Sequence, residues 1–155
     1  MRFLKNFFGK WQESRESLLQ IKAVRERINS LPFEEAKTRA EALLEDTNQF
    51  ICKANTRTAQ PEALGYLALS LQDLFSKYES IEKVDGTVEF NLDEIFWVDG
   101  KYIKIVGFSD FSEAAVLPHD ERILDLGDLE ISEDVGFKHA SPSIYHYLIF
   151  LCSED

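Results

Sequence analysis

The sequence predicts an α+β protein: N-terminal helices, an antiparallel sheet of about five to six strands in a meander, and a closing C-terminal helix. Three features point there. Through the first half of the chain, apolar residues recur every three or four positions, as they do on one face of a helix. After Ser80 the repeat shortens to two, the spacing that lines one face of a strand. Asp99-Gly100, set between Phe96-Trp97-Val98 and Tyr102-Ile103, supplies the positive-φ pair of a tight hairpin. With 155 residues, 45% of them hydrophobic, and only four prolines and seven glycines, the chain can bury a core without metal or disulfide.

Taken in order, residues 2–29 read as helix, with Phe3, Phe7, Trp11, Leu18, Ile21, Val24 and Ile28 at intervals of three, four or seven. Ser30-Leu31-Pro32-Phe33-Glu34-Glu35 has the make-up of a helix start: a capping serine, a proline near the first turn, and acids at the positive end of the dipole. The second helix is expected from about Pro32 into the low fifties, turning Phe33, Ala36, Ala40, Leu43, Leu44 and Ile51 inward. The polar run Asn55–Pro61 is expected to be a loop. It divides a helical extension or layer (residues 1–60) from an α+β unit (residues 61–155), the two packing as one compact body. A third helical stretch covers Glu62 to about Tyr78, with a break near Ser70.

Val84, Val88, Phe90 and Leu92 then alternate with polar residues as a strand does. The Asp99-Gly100 hairpin follows. Ala114-Ala115-Val116-Leu117 and Arg122-Ile123-Leu124-Asp125-Leu126, joined through Pro118-His119-Asp120-Glu121, read as a second hairpin. Ser141-Pro142-Ser143 opens the last helix, with Ile144, Tyr147, Leu148 and Leu151 on one face.

Charge is unevenly spread. The net is +4 over residues 1–30, −1 over 31–60 and −14 over 61–155, for −11 in all. Such a balance argues against nucleic-acid binding, which needs clustered cations to displace counterions from phosphate. It favours association with a cationic protein. The basic aromatic opening, Arg2-Phe3-Leu4-Lys5-Asn6-Phe7-Phe8-Gly9-Lys10-Trp11, has apolar stretches too short for a signal peptide, and no run reaches the roughly 20 residues of a transmembrane helix. Its aromatic and basic residues are expected to cover the rest of the domain, with a protein or lipid interface as the other uses of such a face.

No signature of catalysis is present: GxSxG, Walker A, GxGxxG and HExxH are all missing. Cys52 and Cys152 stand alone, without ligand spacing, and are expected to be buried apolar thiols in the reducing cytoplasm. His119, His139 and His146 are expected in structural or surface roles. The acid-rich run Asp125–Asp134 lacks the order of a calcium loop. Neither a catalytic residue, a metal nor a cofactor is therefore expected.

Ser70-Leu71-Gln72-Asp73-Leu74-Phe75-Ser76-Lys77-Tyr78 resembles the helix that opens the core of SUKH-superfamily proteins. Phe96-Trp97 with Tyr102-Ile103-Lys104-Ile105-Val106-Gly107 is similar to that family's central strand. Ala114-Ala115-Val116 with Arg122–Leu126 is similar to its next hairpin, and Ala140-Ser141-Pro142-Ser143-Ile144-Tyr145-His146-Tyr147-Leu148 to its closing helix. The likeness spans about residues 70–151. Gln72 stands where the family usually carries proline, and residues 1–60 have no counterpart in it. The resemblance implies an α+β protein-binding domain without a catalytic set, of the kind that includes bacterial immunity proteins neutralising a cognate toxin, often a nuclease.

On that reading the acidic segment docks on a basic toxin domain. Phe108, Phe111 and Tyr145 are the candidate anchors, ringed by Asp110, Glu113, Asp120, Glu121, Asp125 and Asp128. The other reading left open is a regulatory or scaffold adaptor that binds through its N-terminal helices.

Overall fold

A computed structural model describes residues 15–153. Of the expected first helix, residues 2–14 lie outside that range; α1 covers Arg15–Asn29 and α2 covers Phe33–Glu45. Helix α2 stops earlier than expected. Asp46 closes a turn by accepting the Asn48 backbone N–H on Oδ1 at 2.9 Å, and Phe50–Ala54 then forms a strand, β1, instead of further helix. The residues explain the switch: Phe50 and Cys52 turn inward while Ile51 and Lys53 turn out, a period of two hidden within an apolar run. Residues expected to form only a helical layer thus supply a strand to the sheet.

A 3-10 turn over Glu62–Tyr66 leads to α3, Leu69–Lys77, so the expected break falls just before Ser70. Tyr78–Lys83 and Val88–Asn91 form β2 and β3 around the Asp85-Gly86 turn, where Gly86 adopts φ +75. β4, Phe96–Val98, and the first half of β5, Tyr102–Phe108, make the expected hairpin, with Asp99 at φ +53 and Gly100 at +66. β6, Glu113–Val116, pairs on with β7, Leu124–Asp125. The order is β1-β2-β3-β5-β6-β7, antiparallel throughout; β4 shares one edge of β5 with β3. Among the described residues that makes seven strands, against about five to six expected: β1 was concealed in the expected second helix, and β2 starts at Tyr78, where the third helix was expected to end.

One sheet face carries Ile81, Phe90, Ile103, Ile105 and Val116 into the main core, against Leu71 and Phe75 of α3 and the closing helix α6, Ile144–Leu151. Helix α6 was expected to bury one face. It buries every residue except Ile149, which is partly covered, because α1 and α2 lie over its other side. Ala36 and Ala40 of α2, both fully buried, let the two helices approach closely. The acid-rich run 126–138 folds into two short helices, α4 (Leu126–Ile131) and α5 (Glu133–Lys138). They cover one end of the opposite sheet face, where Tyr102, Ala115, Leu124 and Leu129 form a second, smaller core. Among the described residues, nothing covers the rest of that face.

Candidate functional site

Strand register builds the open face. Ile51 pairs with Glu82, Glu82 with Glu89, Glu89 with Gly107, and Gly107 with Glu113. Each is flanked in sequence by residues of the main core, so alternation turns this whole row outward. Glu82 and Glu89 stand directly opposite each other, a like-charge pair that costs stability. Glu94 joins them from the 3-10 turn Leu92–Glu94. Glu82, Glu89, Glu94 and Glu113 thus line a hollow of about 360 Å³.

Among the described residues, Lys104 is the only cation lining it. A bulge in β5 after Lys104 brings this residue to the same face as Gly107. Its ammonium lies 3.6 Å from where a Cβ on Gly107 would stand, so the lysine lies across the glycine. From there Nζ reaches Glu113 Oε2 at 3.5 Å and Glu94 Oε2 at 3.9 Å, and sits 5.1 Å from the Phe96 ring centroid. Four carboxylates against one ammonium leave the hollow strongly negative. Burial, and then Glu94 and Glu82, push the Glu89 carboxyl above the ordinary glutamate range; Lys104 pulls the other way.

The β5–β6 turn forms one wall. Phe108 N–H donates to Ser112 O at 3.0 Å, Phe111 N–H to Phe108 O at 2.9 Å, and Ser109 N–H to Thr87 O at 2.9 Å. Asp110 Oδ1 accepts from the Ser112 backbone N–H at 3.0 Å and from its hydroxyl at 2.5 Å. The three-residue loop places Phe111 in the left-handed region, φ +69, where glycine or asparagine is usual. Its side chain is 93% exposed. A large apolar group is held in water on a strained backbone, at the rim of an acidic hollow. Phe111→Gly is expected to stabilise the fold by about 0.5–1 kcal/mol, a rise of roughly 1–4 °C in the thermal unfolding midpoint.

Of the nine residues singled out from the sequence, Phe108, Asp110, Phe111 and Glu113 meet at this hollow or its rim turn. The other five do not join them. Asp120 is taken up by Arg122, whose Nη2 lies 2.6 Å away and whose hydrogen bonds hold the carboxyl below its usual range. Glu121 Oε1 accepts the Ser70 backbone N–H at 3.3 Å, in the first turn of α3. Asp125 pairs with Arg25 of α1 at 3.2 Å, tying that helix to β7. Asp128, beside it, is pushed up by burial and by Asp125. Tyr145 is buried rather than exposed, edge-on to Phe33 with ring centroids 5.6 Å apart. Glu82, Glu89, Glu94, Phe96 and Lys104 were missed. Their alternation with apolar neighbours was visible, but only register brings them together.

The remaining reactive side chains have structural surroundings. Ser143 Oγ lies 2.7 Å from His146 Nδ1, but Ser143 is 1% exposed and its hydroxyl caps α6. His146 Nε2 donates to Leu31 O at 2.9 Å, so Nδ1 accepts the serine proton. Cys52 and Cys152 are half-buried rather than fully buried, and burial pushes the Cys52 thiol up. Among the described residues, no group of three or more His, Cys, Asp or Glu is placed to hold a metal ion, and no helix is long and apolar enough to cross a membrane. No protein-family model, curated protein or solved structure matches this chain.

Proposed function

We propose that this chain is a non-enzymatic protein-binding module, SUKH-like and of the immunity type, that neutralises a basic toxin domain through the Glu82–Glu113 hollow and Phe111. A cytoplasmic location goes with that reading. The observation that carries it is the fully presented Phe111 beside four carboxylates that share one ammonium. A fold selected only for stability gains nothing from that arrangement; a surface that must capture a cationic partner gains an anchor and a steering field. A nuclease toxin suits it well, since such an enzyme presents cations to phosphate and the hollow offers them carboxylates in its place.

The test is association with the product of the adjacent gene. Phe111→Ala is expected to weaken binding about 30-fold, the effect of losing a central aromatic anchor. Glu89→Gln with Glu113→Gln is expected to slow association roughly tenfold at low salt and to flatten its salt dependence. Affinity that ignores salt and all three substitutions overturns the proposal. Binding that survives them but vanishes on removal of residues 1–30 assigns recognition to the N-terminal helices instead.

A further inference from the structure

Among the described residues, five buried side-chain polar atoms have no hydrogen-bond partner, and three of them sit on two residues of one helix: Arg25 Nε, Arg25 Nη2 and Asn29 Oδ1. Arg25 and Asn29 stand four apart on α1 and so share one face of it. Both line a hollow of about 140 Å³, with Lys22 and Glu26 of the same helix and with Lys138 and His139 at the end of α5. That volume is well above the roughly 15 Å³ that admits one water, so a small polyatomic ion fits. Neither orphaned residue is loose. Arg25 Nη1 lies 3.2 Å from Asp125 Oδ2, its guanidinium lies 4.7 Å from the Phe150 ring centroid, and its side chain is 12% exposed. The edge left without a partner, Nε with Nη2, is the side-on fork that grips two oxygens of one oxyanion. Asn29 Nδ2 donates to Ala140 O at 3.1 Å, which fixes the amide and leaves Oδ1 as an acceptor.

The two orphans ask for opposite things: Arg25 for two acceptors, Asn29 for one donor. Charge alone selects little here. Lys22, Arg25 and Lys138 face Glu26 in the lining, while Asp125 and Asp128, both in electrostatic reach of Arg25, offset part of the surplus. The hydrogen-bond pattern selects more sharply. We propose that this hollow binds hydrogen phosphate, two of its oxygens on the Arg25 fork and its hydroxyl donating to Asn29 Oδ1, with Lys22 and Lys138 adding charge. Hydrogen phosphate supplies both kinds of group. Sulfate has no proton to give, and a phosphomonoester in neutral buffer is mostly the dianion, which has lost its P–OH. An unprotonated oxygen there would meet Asn29 Oδ1 lone pair against lone pair. The Lys22–Glu26 pair, 4.0 Å apart with side chains 56% and 68% exposed, is the part of the lining free to move aside as the ion enters. The site shares no residue with the acidic hollow, so it stands apart from the proposed function.

Calorimetric titration of the full chain, in neutral to slightly alkaline buffer at constant ionic strength, tests this with four sodium salts: phosphate, arsenate, sulfate and methyl phosphate. Phosphate and arsenate, which both keep one hydroxyl, should bind alike and about tenfold or more tighter than the other two. Phosphate should also shift the Arg25 Nε–H resonance in a nitrogen-15 spectrum, and sulfate at the same concentration should not. Arg25→Lys keeps a cation beside Asp125 but loses the fork, and is expected to weaken phosphate about tenfold or more. Lys138→Ala, at an exposed position, should weaken it only about threefold. Three results overturn the proposal: phosphate and sulfate binding equally, which makes the hollow a site for an adventitious ion only; an Arg25 resonance that ignores phosphate; or an affinity unchanged by Arg25→Lys. Should Arg25→Lys fail to fold, the resonance and the phosphate–sulfate comparison, both read on the unaltered chain, decide the matter.

Discussion

His146→Ala is expected to destabilise the fold by about 3–4 kcal/mol, seen as a lowered urea midpoint at unchanged m-value and a fall of roughly 10 °C in thermal midpoint. Three losses combine. The imidazole is 3% exposed in the first turn of α6, so its removal leaves a cavity in a close-packed region. The Leu31 carbonyl loses its donor at 2.9 Å, and the Ser143 hydroxyl loses its acceptor at 2.7 Å. Leu31 lies in the link between α1 and α2, so this one ring ties the outer helical pair to the helix beneath it. Ser143→Ala is the comparison. It removes the cap and one bond of the network but keeps the tie to Leu31, and should cost only about 1 kcal/mol. Equal losses from the two substitutions contradict the assignment of the larger part to the Leu31 contact.

Lys104→Met is expected to cost about 2 kcal/mol at neutral pH and far less in acid. The lysine side chain is 9% exposed, while its partners Glu94 and Glu113 are 52% and 34% exposed, which keeps the effect below that of a fully buried pair. Removing it deletes the one influence that lowers the Glu89 pKa and leaves burial, Glu94 and Glu82 to raise it further from 4.5. The folded state then holds the Glu89 proton more tightly than the unfolded chain does. Stability is accordingly retained below the ordinary glutamate pKa and lost as pH rises through the raised one. The gap between the two proteins in urea midpoint should therefore open from about pH 4.5 towards neutrality. A gap independent of pH would reduce Lys104 to a packing residue.

The elements read correctly from sequence are those with a local physical cause. Asp99-Gly100 adopts the positive φ angles of its hairpin because few other pairs tolerate them. Ser143 caps α6 because its hydroxyl reaches a backbone N–H three residues on. Where two periods fit one apolar run, the reading failed. Residues 43–52 satisfy a helix as well as a strand, and only pairing with β2 selects the strand. Phe111 and Tyr145 were expected alike as anchors; Phe111 stands exposed on its turn, whereas α2 lying over the other side of α6 buries Tyr145.

The sequence by itself established, from its charges, that the C-terminal two-thirds of the chain is strongly acidic and its opening residues basic and aromatic, and, from its hydrophobic periods, that its body mixes helices with an antiparallel sheet. Which acids act together was decided by tertiary structure. Register sets Glu82 against Glu89 and, across Gly107, in line with Glu113, while Asp120 and Asp125 are spent on Arg122 and Arg25. Charge is a property each residue carries alone, and so can be counted along the chain. A field needs distances between strands that lie far apart in sequence, and those exist only once the sheet has formed.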